Sequence, residues 1–197
     1  MKTKSNPRVL TGTAMLAAVA TVLMYMEFPI PIMPAFIKLD VSELPALIAS
    51  FAYGPVAGIV VCLIKNLIKL PSTSTAAVGE LFNFVMGALF VGVAGMVYRF
   101  KKTRSGAILG AVLGALVMAI VSVPYNYFIV YPAYVVLYHL PLEAIIGMYQ
   151  AILPSADSLI KCLVIFNMPF TLVKGLLDAV LCLLIYKPLS PILHGRK

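Results

Sequence analysis

The 197-residue sequence has no tryptophan, three cysteines, two histidines and only seven acidic residues against fifteen basic ones. Each shortage excludes something. Charged residues make up 11% of the chain and hydrophobic ones 62%, with a mean hydropathy of +1.03. That leaves too little polar surface for a soluble globule, and no polar stretch is long enough for an aqueous domain. Cys62, Cys162 and Cys182 lie in apolar runs without CxxC spacing, so they read as small buried hydrophobes rather than a disulfide framework or a metal site. His139 and His194 fall outside the apolar runs, and no HExxH, GxSxG or paired-aspartate motif occurs; this argues against an intramembrane enzyme. A glycine-rich phosphate loop is also missing, so any energy from ATP must come from other chains. The net charge of +8 does not point to nucleic acid, because the basic residues cluster in short patches at the ends of apolar runs.

What remains is an all-α, polytopic membrane protein forming one integral-membrane domain over residues 1–197. Apolar runs predict spans over 9–28, 76–98, 106–136 and 159–187. The run 44–70 is interrupted by Gly54-Pro55, so it reads as a broken hairpin; with it the chain makes a six-helix transmembrane bundle. Lys2, Lys4 and Arg8 before the first run imitate a signal peptide, but the run continues to Phe28, so we read a retained helix. Small residues recur at four-residue spacing, as Ala14 and Ala18 in the first span and Gly106, Gly110 and Gly114 in another; this lets helix backbones approach closely.

Three basic patches, at the N-terminus, at 99–104 and at the C-terminus, should share the cytoplasmic face. The 44–70 segment must then cross an even number of times. Twenty-seven residues at ~1.5 Å each cannot make two full ~30 Å crossings, which again favours a hinged hairpin inside the bundle. Under this parity, polar residues from five separated segments fall at one mouth on the outer side. They come from the 29–43 loop, from Glu80 and Asn83, from Asn126, from the 137–158 loop, and from the start of the last helix. That last helix carries Asn167, Thr171, Lys174 and Asp178 on one face. A charge within a span costs at least ~2.5–3.5 kcal/mol and needs a reason. Either Lys174 and Asp178 form an internal ion pair, or the face meets a ligand. Phe28, Phe36, Tyr125 and Tyr127 are candidate apolar walls.

Several stretches carry a resemblance: Phe36-Ile-Lys-Leu-Asp-Val-Ser-Glu43, Gly54-Pro-Val-Ala-Gly58, Lys65-Asn-Leu67, Val78-Gly-Glu-Leu-Phe-Asn-Phe84, Asn126-Tyr-Phe128 and Pro169-Phe-Thr-Leu-Val-Lys-Gly175. In this order, over nearly the whole chain, they resemble the riboflavin-specific substrate-binding subunits (RibU family) of energy-coupling-factor (ECF) vitamin transporters. The resemblance implies a six-helix membrane subunit, with both termini cytoplasmic, that binds riboflavin from outside as its transported ligand and holds no cofactor. It also implies partners, namely a transmembrane coupling subunit contacted through Ala14 and Ala18, and two cytoplasmic ATPases. By position, the family's ligand contacts fall on Leu39, Asp40, Asn126 and the Thr171/Lys174 face. Relatives often have asparagine where this chain has Thr171, so the two-pronged amide is replaced by a hydroxyl. A subunit for thiamine or pantothenate is the alternative within the class. Thiamine's fixed positive charge suits an anionic or tryptophan-rich site, which this tryptophan-free chain with Lys174 does not offer.

Overall fold

The computed structural model describes residues 7–34, 36–139 and 141–194. Six helical segments make the bundle. They are α1 (Pro7–Tyr25), α2 (Glu43–Tyr53), α3 (Pro55–Lys69), α4 (Val78–Phe100), the continuous α5 (Arg104–Tyr125) and α6 (Tyr131–Tyr138), and α8 (Leu159–Cys162) running into α9 (Met168–His194). A short α7 (Leu142–Gln150) lies between the last two. Two-residue strands β1 (Phe28–Pro29) and β2 (Lys38–Leu39) pair antiparallel and close the first loop into a small hairpin. Among the described residues, five helices are long and apolar enough to cross a membrane. The sixth segment, α2, has 11 residues and reaches only ~16 Å.

Gly54 makes the break in the 44–70 hairpin. Its φ of 105° lies in the region that side chains avoid, and Pro55 starts α3 with a fixed φ and no amide to satisfy. Glu43 at the top of α2 and Lys69 at the end of α3 both return to the same end of the bundle, where they line one cavity. The far end gathers the α2–α3 corner, where Phe51 packs on Tyr98 and Tyr186 at ring-centroid distances of 4.9 and 6.1 Å. The hairpin therefore enters and leaves at one face, as the parity of the basic patches requires.

The glycines of α5 explain its tight seam with α4. A Cβ added at Gly110 would come 2.6 Å from the Ala94 carbonyl oxygen, and one at Gly114 would come 2.5 Å from that of Phe90. Any larger residue would push the helices apart. Two π-helical turns, Asn126–Val130 and Leu163–Asn167, interrupt the long helices. Each sits just before a proline, Pro132 and Pro169. A proline cannot donate to the carbonyl four residues back, and a widened turn absorbs the loss.

Candidate functional site

One cavity opens at the end of the bundle where α1, α3, α5 and α6 finish and α2, α4 and α9 begin. Of the residues picked out by sequence, Asp40, Glu80, Asn83, Asn126, Asn167, Thr171 and Lys174 all line it. Leu39 does not. It sits in β2, paired with Phe28, between lining residues Lys38 and Asp40. Of the aromatic candidates Phe36 lines the wall, whereas Phe28 and Tyr127 are exposed, at 53% and 42%, and Tyr125 packs on Phe82 instead. The wall is completed by Phe82, Tyr131, Tyr134 and Phe170. These aromatics were not separable by sequence from membrane-interface anchors.

At the cavity floor Lys174 Nζ pairs with Asp40 Oδ2 at 2.9 Å and with Glu43 Oε2 at 3.1 Å. The Lys174–Asp178 pair, one of the two readings of this face, is absent: Asp178 is fully buried, and neither of its oxygens has a hydrogen-bond partner among the described residues. Both groups lie on α9, but Lys174 turns up toward the first loop, where two carboxylates are available. Lys65, also fully buried, pairs with Glu43 Oε1 at 2.7 Å and donates to the Ser42 hydroxyl. Asp40 accepts the Ser42 backbone N–H at 2.8 Å. Ser42 precedes α2 without capping it by its side chain, because its hydroxyl serves Lys65. Burial alone would raise the Asp40 pKa, but Lys174, then Lys65 and the Ser42 N–H, hold its carboxyl well below the usual range.

Nearer the mouth, Glu27 Oε1 takes Lys38 at 2.9 Å and Oε2 takes Lys69 at 2.5 Å. Its burial would raise its pKa, but the hydrogen bonds from Lys69 and Lys38 hold it low. Glu80, read from sequence as a polar helix start or a site residue, accepts the hydroxyls of Thr73 and Thr75 at 2.7 and 2.9 Å. It thereby fixes a turn in which Ala76 and Ala77 adopt positive φ, 46° and 68°. Asn83 accepts a long bond, 3.4 Å, from Asn66, and Asn126 donates to the Ser122 carbonyl at 2.8 Å. Glu27, Lys38, Glu43 and Lys69 all line the cavity and were not singled out by sequence. The signals present were the placement of the 29–43 loop at the mouth, which covers Lys38 and Glu43, and for Lys69 a charge closing an apolar run.

Every lining lysine is matched. Lys38 and Lys69 pair with Glu27, and Lys174 with Asp40 and Glu43, with Lys65 behind Glu43 as the fourth cation; Glu80, held by Thr73 and Thr75, is the fourth carboxylate. The cavity is thus charge-balanced, aromatic on one side and rich in hydrogen-bonding groups on the other. A membrane bundle with such a cavity at one end is a solute-binding membrane protein.

Comparison with known proteins narrows the class. Residues 8–186 match the family model of the ECF transporter substrate-specific component. The chain is similar to the riboflavin transporter RibU of Staphylococcus aureus (strain TCH60), 34% identical over 187 residues that cover 95% of this chain and 92% of the relative. It is similar also to the riboflavin transporter FmnP of Bacillus subtilis (strain 168), 33% identical over 192 residues and covering 95% of each. A solved S component of a bacterial ECF transporter superposes with a TM-score of 0.75 at 33% identity, covering 96% of this chain and 99% of that one. The chain belongs to the substrate-specific components of ECF transporters. It is accordingly a multi-pass membrane protein that works with other ECF components.

Proposed function

We propose that this substrate-specific component binds riboflavin in the cavity between the first loop and α9, taking it up from outside the cell. The observation that carries the reading is charge balance. Riboflavin is neutral, with a flat ring, a polar ring edge and a hydroxylated chain. It suits a site whose lysines are already matched by carboxylates and whose other wall is aromatic. Thiamine is a cation and pantothenate an anion, and either would leave one charge of the site or ligand unpaired. The names of the relatives, riboflavin transporters at 33–35% identity, support the same ligand. Within the cavity, Asp40, Asn126, Thr171 and Lys174 are the polar contacts we assign to the ligand, with Glu80 and Asn83 on the α4 side and Phe36 and Phe82 against the ring.

Orientation follows from the basic residues. Arg8 and the 99–104 patch belong to the end opposite the mouth, so both termini are cytoplasmic and the mouth faces outward. Energy comes from a transmembrane coupling subunit, docked along Ala14 and Ala18, and from two ATPases; this chain binds and does not catalyse. Fluorescence titration tests the ligand. Riboflavin fluorescence should be quenched stoichiometrically and restored by no excess of thiamine or pantothenate. Absence of quenching, or displacement by either vitamin, overturns the assignment.

A further inference from the structure

We propose that Tyr149, a residue that does not line the cavity, is a positioning residue that holds a bound flavin in place by joining α7 and the first loop to the cavity wall. The inference rests on the reading of the cavity as a riboflavin site. Three buried side chains close a ring of hydrogen bonds. The hydroxyls of Tyr131 and Tyr149 are bonded to each other, Tyr149 donates to Asn167 Oδ1 at 2.7 Å, and Asn167 Nδ2 donates to the Tyr131 hydroxyl at 3.1 Å. Tyr149 is 0% and Tyr131 1% exposed. Burial pushes the Tyr149 phenol above its usual pKa, so it stays a hydroxyl donor at all physiological pH. The ring occupies both functions of the Asn167 amide. Asn167, a ligand candidate by sequence, is thus committed to the protein.

The ring joins three elements. Tyr131 opens α6 after one π-helical turn, Asn167 ends the other, and Tyr149 closes α7. Phe170 and Thr171, which line the cavity, follow Asn167 within one helical turn, so the ring sets their position on the wall. On its other side Tyr149 carries the first loop. Phe36 packs edge-to-face on Tyr149 and Tyr134, with centroids 6.4 and 6.2 Å away and interplanar angles of 82° and 81°. α7 has nine residues, too few to hold itself as an isolated helix. Its anchorage is Ile145 and Tyr149, buried with Val130, Leu159 and Leu163. A ligand leaving past Phe36 must displace a ring that rests on Tyr149.

The test is the kinetics of riboflavin release from the whole purified protein, read by fluorescence recovery on dilution and by quenching on mixing. Tyr149→Phe keeps the aromatic packing and removes the hydroxyl, which leaves Tyr131 and Asn167 each short of a buried partner. It is expected to release riboflavin about tenfold faster or more, with association changed less than about threefold. Tyr131→Phe should act in the same direction, and it replaces Tyr149→Phe should that variant not fold. Ser50→Ala removes another buried hydroxyl bond, to the Val91 carbonyl at 2.7 Å, on the α2–α4 side of the bundle; it should release at the wild-type rate. Release by the tyrosine variants within twofold of wild type overturns the inference, and so does equal acceleration by Ser50→Ala, which would make the effect one of general stability. Wild type that binds no riboflavin is a separate failure, of the ligand assignment itself.

Discussion

Lys174 is held by two carboxylates at once, Asp40 just after β2 and Glu43 at the start of α2, with only 12% of its side chain exposed. Its removal leaves the buried Asp40 without its ion-pair partner and Glu43 with Lys65 alone, a loss of the ~3–5 kcal/mol kind. Lys174→Ala should therefore abolish riboflavin binding and also lower the melting temperature. Asp40→Asn added to it should recover part of the melting temperature and none of the binding, as thermal melts and titrations would show. Unchanged melting in the single variant would mean that the pairing adds nothing to the fold. The sequence alone placed Lys174 on a polar face and offered only Asp178, four residues on, as an ion-pair partner, beside the alternative that the face meets a ligand. A partner 134 residues away leaves no trace in local spacing. The pH dependence follows from Asp40. Its folded pKa lies below the ordinary 3.8, so its stabilising contribution is complete above that value and is lost only as pH falls through the lower, folded value. Melting temperature should show no loss due to this pair between neutral pH and about 4; an early loss near pH 5–6 would contradict the burial of the pair.

At the scale of the element, the α2–α3 corner turns on one backbone angle. No atom lies within 4 Å of a Cβ built at Gly54, so Gly54→Ala costs only the strain of a φ of 105° with ψ of 165°, about 1–3 kcal/mol. It should lower the melting temperature by a few degrees and leave binding intact. Gly114→Ala is of another kind, because its Cβ meets a backbone carbonyl at 2.5 Å. It should cost more than Gly54→Ala, and a smaller loss at Gly114 would mean that the α4–α5 seam yields easily. The long helices and the Gly54-Pro55 hinge were legible because apolar runs and helix breakers are local signals. The first span, read as 9–28, is the helix Pro7–Tyr25, and the run read as 106–136 is one helical stretch from Arg104 to Tyr138. The π-helical turns were not legible. They depend on how Pro132 and Pro169 are accommodated by the neighbouring helices, and proline alone says only that a helix must adjust. Helix α7 lies in the stretch read as the 137–158 loop, and the burial of its Tyr149 was not legible, since a tyrosine near a span end looks like an interfacial anchor.

For the whole molecule, the proposed binding cavity and the proposed coupling surface fall on different faces. Thr13, Ala17, Ala20 and Met24 turn α1 inward, whereas Ala14 and Ala18 are exposed on its outer side. A tryptophan at either exposed position should therefore spare riboflavin binding by the purified protein and abolish uptake by cells that carry the partner subunits. Loss of binding in these variants would contradict the division. The convergence of distant polar residues at one mouth was legible, because charge patches fix which span ends share a face. Which of those residues line the cavity, which stand behind it like Leu39, and which line it while bonded to the protein like Asn167 depends on packing that no spacing records.

The account rests most directly on whether this bundle holds a flavin. The measurement is the absorbance spectrum of the wild-type protein purified from riboflavin-containing cells, followed by analysis of what denaturation releases. The account predicts a yellow protein that releases riboflavin in near-equimolar amount, and a colourless Lys174→Ala variant. A colourless wild-type protein that gains no flavin absorbance when riboflavin is added would contradict it.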